Sequence, residues 1–162
     1  MTYEMDIAGL KRELPLCRVT DELYIGAFVM LGDLELTVHC AAELLKRAPE
    51  YDYLIAPEAK AIPLLYEMAR QSGAEKYFLA RKGAKAYMTG VFEVEVRSIT
   101  TMHIQKLVID TADAEMIKGK KVLIVDDVIS TGESLHAMEE LVKRAGGIIA
   151  GKMAVLAEGD AK

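Results

Sequence analysis

The residues best suited to chemistry lie in one short stretch, residues 126–134. Asp126 and Asp127 are adjacent carboxylates that follow an apolar run, and a turn rich in hydroxyl groups and glycine comes next. Backbone N–H groups at the start of a helix bind anions, and Gly132 lets a phosphate group approach the chain closely. Two carboxylates beside a phosphate site would repel an anionic ligand unless they met hydroxyl groups or a metal ion. The pattern is therefore typical of a site for a sugar phosphate bound together with Mg²⁺.

The same stretch has a structural alternative. Ser130 and Glu133 have the spacing of a capping box, in which two side chains satisfy backbone amides at the start of a helix. Asp126 and Asp127 could simply end a strand in solvent. Each half of the pattern often occurs alone for structural reasons. The succession of buried strand, acid pair, hydroxyl-glycine turn and helix favours ligand binding.

Strands and helices alternate around this stretch. Strands are predicted at four apolar runs, residues 53–56, 76–80, 121–125 and 148–157. Helices are predicted at three stretches, the first capped by Asp33, the second running from Pro63 to Gly73 and the third covering about 135–145. Such alternation is typical of right-handed βαβ units. We therefore expect an α/β fold, a mostly parallel central sheet flanked by helices, with ligands beyond the carboxyl ends of its strands.

Residues 81–105 differ in character from the rest of the chain. Basic residues cluster at 81–85, and glycine, serine and threonine recur further on. Apolar and acidic residues alternate over 91–96, which predicts an exposed hairpin strand with residues 106–110 as its partner. This span interrupts the alternation of strands and helices, so we expect an irregular hairpin there.

The composition excludes several function classes. The 162 residues fit a single domain, 1–162. Twenty Lys and Arg against 25 Asp and Glu give a net charge of -5, which disfavours a nucleic-acid partner. No run reaches the roughly 18 apolar residues that span a bilayer, and the N-terminus lacks an apolar signal core. Cys17 and Cys40 lack the spacing of a disulfide framework. We therefore expect a cytoplasmic protein with no membrane partner.

Residues 125–132 read Val-Asp-Asp-Val-Ile-Ser-Thr-Gly and resemble the signature of the type I phosphoribosyltransferases, which bind 5-phosphoribosyl-1-diphosphate (PRPP). In that family a flexible hairpin loop and a small hood accompany the sheet, and residues 16–20 and 24–28 are candidates for an N-terminal hood. The resemblance implies that Asp126 and Asp127, the catalytic pair, hold the ribose hydroxyls directly or through Mg²⁺. The implied binding residues for the ribose and 5′-phosphate are Asp126, Asp127, Val128, Ile129, Ser130, Thr131, Gly132, Glu133 and Ser134.

Two further segments resemble the diphosphate-binding loops of the family. One follows the strand at 53–56, and the other follows the strand at 76–80. The resemblance implies a diphosphate site formed by Glu58, Ala59, Lys60, Arg81, Lys82 and Lys85. A role as ordinary surface charge is the alternative for Lys60 and Lys85. The span up to Gln105 resembles the loop that closes over bound substrates and excludes water.

The implied reaction transfers the phosphoribosyl group from PRPP to a nucleobase, giving a nucleoside 5′-monophosphate and diphosphate. Ser130 stands where enzymes for 6-oxopurines commonly have Asp, which favours adenine among the purines. The loop at 97–101 departs from the usual adenine-type loop. A non-purine acceptor, such as orotate or uracil, and a PRPP-binding regulator without transferase activity remain as alternatives. Because family members are commonly dimers, the resemblance also implies a homodimer.

Overall fold

In the computed structural model, the described residues are 1–97 and 102–159, and they form nine strands and four helices. The strands are β1 (Thr2–Ile7), β2 (Leu10–Arg18), β3 (Tyr24–Gly26), β4 (Tyr53–Pro57), β5 (Phe78–Ala80), β6 (Val91–Arg97), β7 (Ile104–Asp110), β8 (Lys121–Ile129) and β9 (Ile148–Ala157). The helices are α1 (Leu34–Arg47), α2 (Ile62–Ser72), α3 (Thr111–Ile117) and α4 (Glu133–Arg144). Most of the predicted loop at 97–101, residues 98–101, lies outside the described residues.

The central sheet is parallel, with the strand order β5-β4-β8-β9. This arrangement confirms the predicted α/β fold. β8 extends beyond the predicted run at 121–125, because β9 pairs with it as far as Ile129. Asp126 and Asp127 therefore lie within a paired strand, and Asp127 is only 8% exposed. The alternative in which the two acids end a strand in solvent is wrong.

The central strands are buried on both faces because alternate side chains enter different cores. Leu54 of β4 and Leu123 of β8 pack in one core with residues of α1 and α2. Ile55 and Ile124, one position further along each strand, pack in the other core with residues of α3, α4 and the β6–β7 hairpin. The apolar runs that predicted these strands therefore fill both faces of one sheet.

The ends of the first two helices follow their sequence signals. Asp33 caps α1, and its Oδ1 accepts a hydrogen bond from the Leu36 N–H at 3.0 Å. Arg12 of β2 donates from Nε to Asp33 Oδ2 at 2.7 Å, which ties the N-terminal strands to this helix. Gly73 ends α2 in the left-handed conformation, with φ of 73°, as predicted for a glycine at this position.

No helix in the described ranges combines the length and the apolar character needed to cross a bilayer.

The remaining strands pair antiparallel. β6 and β7 form the predicted hairpin. β1, β2 and β3 form a separate sheet, and Ile7 of β1 packs in the same core as Cys40 of α1. The candidate hood segments, 16–20 and 24–28, belong to this sheet and its connections. Neither segment lines the main cavity of the molecule.

Candidate functional site

The main cavity lies at the carboxyl ends of β4 and β8, where the order of the strands reverses. From β4 the chain adds β5 on one side of the sheet, and it later adds β8 on the other side. A reversal of this kind opens a crevice between the two loops that leave the strands, and ligands of open α/β sheets bind there. The cavity has a volume of about 550 Å³. Its walls come from the loop after β4, from Lys82, from β7 and from the end of β8.

A smaller cavity of about 50 Å³ adjoins the main one and shares Asp126 and Ser134 with it. Its wall includes residues 128–132, the turn that leads into α4. The volume suits a small group such as a phosphate. Eight of the nine residues predicted to bind the ribose and the 5′-phosphate line one or both of these cavities. The exception is Glu133, which lines neither cavity.

The helix α4 begins with a glycine at its N-cap. Gly132 occupies the N-cap with φ of 78°, a conformation that favours glycine, and it has no side chain that could bond to the helix amides. Ser130 lies two residues before this N-cap, so the capping box with Glu133 is wrong. Thr131 Oγ1 instead accepts a weak hydrogen bond from the Glu133 N–H at 3.4 Å. The helix N-terminus can therefore accept an anion.

The predicted diphosphate residues divide into two groups. Glu58, Ala59, Lys60 and Lys82 line the main cavity, whereas Arg81 and Lys85 do not. The side chain of Arg81 is hydrogen-bonded to Glu58 and Tyr87. Its Nε donates to Glu58 Oε2 at 2.8 Å, and its Nη1 donates to the Tyr87 hydroxyl at 2.9 Å. Glu58 Oε1 also accepts from the Lys82 N–H at 2.6 Å, and the peptide bond between Glu58 and Ala59 is cis.

The surroundings of two acidic residues in the cavity, Asp126 and Glu58, shift their pKa values in opposite directions. Burial, a hydrogen bond with the Asp127 side chain and the charge of Asp127 together raise the pKa of Asp126 to about 7, against the opposing effect of Lys60. Burial alone would also raise the pKa of Glu58. The Lys82 N–H and the Arg81 guanidinium outweigh burial and hold the pKa of Glu58 below its ordinary value. Glu58 is therefore an anion at neutral pH, while Asp126 is only partly ionised there.

The acid pair suits a divalent cation that arrives with an anionic substrate. Among the described residues, no cluster of three or more His, Cys, Asp or Glu side chains is placed to hold a metal ion. Mg²⁺ is commonly held by one or two carboxylates, with water and substrate phosphates completing its shell. Asp126 and Asp127 supply such oxygens, and a nearby cation would offset the repulsion that raises the pKa of Asp126.

The sequence analysis named no individual site residue on β7, although the span up to Gln105 resembles a loop that closes over substrates. Residues 103–107 line the main cavity, and Gln105 Nε2 lies 3.5 Å from Ser134 Oγ at the start of α4. Gln105 lies two positions before the buried Leu107, so the two side chains share one face of β7. His103 comes just before the strand begins. The hairpin thus places polar side chains over the cavity.

Replacing Asp126 with Asn is expected to stabilise the free protein above pH 7 by on the order of 2 kcal/mol. The folded chain holds the Asp126 proton up to a pKa of about 7, whereas the unfolded chain releases it near the ordinary value of about 3.9. The contribution of Asp126 to stability therefore falls as the pH rises from about 4 to 7. Urea unfolding between pH 4 and 8 measures this slope.

Asp126→Asn should remove that slope, and Glu115→Gln on the exposed side of α3 should keep it. Equal slopes in the wild type and in Asp126→Asn would contradict the raised pKa.

Comparison with known proteins adds sequence and fold relationships to this geometry. Residues 34–162 match the sequence model of the family described as "Phosphoribosyl transferase domain". An adenine phosphoribosyltransferase of Thermotoga sp. (strain RQ2) is 36% identical over 99 residues, which cover 60% of this chain and 54% of the relative. An orotate phosphoribosyltransferase of Caldanaerobacter subterraneus subsp. tengcongensis is 30% identical over 111 residues, covering 68% of this chain and 47% of the relative. The chain thus spans about half the length of these curated relatives.

Among solved structures, the adenine phosphoribosyltransferase of Thermoanaerobacter pseudethanolicus ATCC 33223 has a similar fold. The TM-score is 0.70 at 19% identity, with 90% of this chain and 95% of the other covered. At this identity the likeness establishes the fold alone.

Proposed function

The chain belongs to the phosphoribosyl transferase domain family, and from that premise we propose that it transfers the 5-phosphoribosyl group of PRPP to a nucleobase. The observation that carries this proposal is the pair of adjoining cavities that share Asp126 and Ser134. PRPP has a phosphate at one end of its ribose and a diphosphate at the other. A small cavity at a helix N-terminus next to a larger one lined by lysines matches that division.

In the proposed complex, the 5′-phosphate occupies the small cavity and accepts hydrogen bonds from the turn at 130–132. The ribose hydroxyls lie between the two cavities, where Asp126 and Asp127 accept their hydrogen bonds. The diphosphate extends into the main cavity toward Lys60 and Lys82. Each part of the ligand then meets groups of complementary charge or hydrogen-bonding character.

Transfer breaks the bond between the anomeric carbon and the diphosphate and forms a bond from that carbon to a ring nitrogen of the base. The proton on that nitrogen leaves and is taken up by the departing diphosphate. Negative charge develops on the departing diphosphate, and Lys60 and Lys82 stabilise it. Positive charge develops on the ribose, next to the carboxylates of Asp126 and Asp127. Mg²⁺, when bound, adds its own charge to the stabilisation of the leaving group. The catalytic power in this scheme comes from positioning and electrostatics, with no covalent nucleophile.

Adenine is the proposed acceptor. Ser130 in the phosphate turn and the similarity to a relative named adenine phosphoribosyltransferase support this choice. The similarity to a relative named orotate phosphoribosyltransferase favours a pyrimidine acceptor as the second candidate.

Catalysis also agrees better than regulation with the lysines lining the main cavity, because a sensor of PRPP has no leaving group to stabilise.

A diphosphate-release assay with Mg²⁺ and PRPP tests the proposal, using adenine, hypoxanthine, guanine, xanthine, orotate and uracil in parallel. We expect release that depends on adenine. Release with orotate alone would support the second candidate. If no base promoted release while calorimetry still detected PRPP binding, the regulator alternative would replace the enzyme.

Lys82→Ala is expected to weaken the binding of Mg²⁺-diphosphate by about 10-fold, because a charged hydrogen-bond donor to the ligand is lost. Lys85→Ala is the matched control, since it removes the same charge from the same loop at a residue that does not line the cavity. Isothermal titration calorimetry measures both affinities. An equal loss in the two variants would show that only the general charge of the loop matters and that Lys82 does not contact the diphosphate.

The family resemblance supports several further parts of the proposal. They are Mg²⁺ as the cofactor, a homodimer as the assembly, a cytoplasmic location and a single transferase domain over residues 1–162. Sedimentation of the purified chain tests the assembly. Omission of Mg²⁺ from the assay tests the cofactor.

A further inference from the structure

The carboxylate of Glu58 is bound by groups that otherwise suit a phosphate. One oxygen accepts from the Arg81 guanidinium at 2.8 Å, and the other accepts from the Lys82 backbone N–H at 2.6 Å. The Glu58 side chain is only 17% exposed, so it is held firmly between these donors. A guanidinium together with a backbone amide is a common binding arrangement for a phosphate group. Glu58 therefore sits where an anionic ligand would find its donors.

Arg81 contacts the wall of the main cavity through Glu58. Glu58 and Lys82 line that cavity, whereas Arg81 does not, although its guanidinium contacts the Glu58 carboxylate directly. The guanidinium is thus bonded to a residue of the cavity wall without lining the cavity itself. If Glu58 rotated away, Arg81 would gain access to a bound anion.

We propose that Glu58 competes with diphosphate for Arg81 and for the Lys82 N–H, and so weakens the binding of the diphosphate. In the free protein the carboxylate holds both donors. In the complex the diphosphate takes them over, and Glu58 turns away. This inference rests on the proposed function, because it assigns diphosphate to the main cavity.

The backbone around Arg81 permits this exchange without a change of fold. The Arg81 N–H donates to the Val108 carbonyl at 2.8 Å, and the Val108 N–H donates to the Arg81 carbonyl at 2.7 Å. These two bonds fix the main chain of Arg81 against β7 whichever anion its side chain contacts. Only side-chain rotations of Glu58 and Arg81 are needed.

The consequence for the reaction is easier release of the product. A resident carboxylate must be displaced for the diphosphate to bind, and it returns when the diphosphate leaves. The same competition weakens the diphosphate contacts of PRPP, which keeps the contacts of its 5′-phosphate and ribose and so stays bound more tightly than free diphosphate. Glu58 thus acts on the diphosphate site by shortening the time for which the leaving group stays bound.

Calorimetric titration with Mg²⁺-diphosphate tests the competition. Glu58→Gln removes the negative charge but keeps the size of the side chain, and we expect it to bind diphosphate about 10-fold more tightly than the wild type, a step of about 1.4 kcal/mol. Glu67→Gln on α2 is the matched control, because Glu67 is also an ion-paired glutamate but lies outside the cavity. We expect its affinity to be unchanged. The gain from Glu58→Gln should shrink when Arg81→Ala is also present, because only the competition for the Lys82 N–H then remains.

A second measurement uses the wild-type chain and does not depend on the folding of a variant. The NMR signal of the Arg81 Nε–H should shift on addition of Mg²⁺-diphosphate, because its acceptor changes from a carboxylate to a phosphate. Equal or weaker binding by a folded Glu58→Gln variant, or an unshifted Arg81 signal, overturns the competition. Failure of the wild type to bind diphosphate also overturns it.

The two proposals fail in different ways. Diphosphate binding with the expected Glu58→Gln gain, but no turnover of PRPP with any base, overturns the proposed transfer alone. Turnover by the wild type together with unchanged diphosphate affinity in Glu58→Gln overturns the competition alone.

Discussion

Asp127→Asn is expected to lower kcat/KM for PRPP by about 100-fold while the fold stays intact. Asp127 lies near the end of β8, lines the main cavity and is only 8% exposed. In the proposed complex its carboxylate accepts a hydrogen bond from a ribose hydroxyl and faces the positive charge that develops on the ring. Asparagine has nearly the same shape, so packing is retained, but it carries no charge and presents an N–H donor on one side.

The diphosphate-release assay measures this loss, and urea unfolding checks the fold. Asp113→Asn is the matched control, because Asp113 is paired with Lys76 at 2.7 Å on α3 and does not line the cavity. The control should keep wild-type turnover. Unchanged turnover in Asp127→Asn would remove Asp127 from the ribose site.

Gly147→Ala is expected to lower the free energy of unfolding by about 2 to 3 kcal/mol, because the added methyl group overpacks the core. A Cβ at Gly147 would lie 2.7 Å from Ile117 Cγ2, 2.9 Å from Val142 Cγ1 and 3.2 Å from the Val142 carbonyl oxygen. Ile117 and Val142 are both fully buried, so neither side chain can move into solvent to make room. The strain falls where α3 and α4 meet the start of β9.

Gly83→Ala provides the matched control for stability. A Cβ at Gly83 would meet no atom within 4 Å. We expect its free energy of unfolding to stay close to that of the wild type. If the two variants unfolded at the same urea concentration, the packing around Gly147 would be looser than the structure indicates.

The sequence predicted the elements of the central sheet because their signals are local and strong. β9 was predicted at 148–157 and has the same bounds in the structure. Its neighbour β8 was predicted too short, because the apolar run stops at Val125 while the backbone pairing with β9 continues to Ile129. Hydrophobic patterning detects burial, and it does not detect a strand that continues through acidic residues.

The N-terminal sheet and α3 were not predicted, for a related physical reason. Charged residues occur throughout β1 and β2, and most of their side chains are exposed, so backbone pairing rather than burial holds these strands together. α3 has seven residues and buries only Ala114 and Ile117. Elements that bury so little leave a weak pattern in the sequence.

The candidate site was predictable where its residues are adjacent in the chain. Residues 126–134 form one continuous segment, so their types and spacing already indicate a phosphate and ribose site. The partner of Arg81 could not be predicted in this way. Glu58 lies 23 residues away, and only the folded arrangement of β4 beside β5 brings the two charges together.

The position of β8 has a consequence for how the molecule opens. β8 pairs with β4 on one side and with β9 on the other, and the side chains of residues 122–125 are fully buried. Backbone amides in such a strand exchange with solvent hydrogen only when the whole fold opens, whereas an exposed turn such as residues 130–131 exchanges through local fluctuations. The two carboxylates thus follow directly on the part of the chain that opens last, and the turn after them, which is the proposed phosphate site, can change its conformation locally.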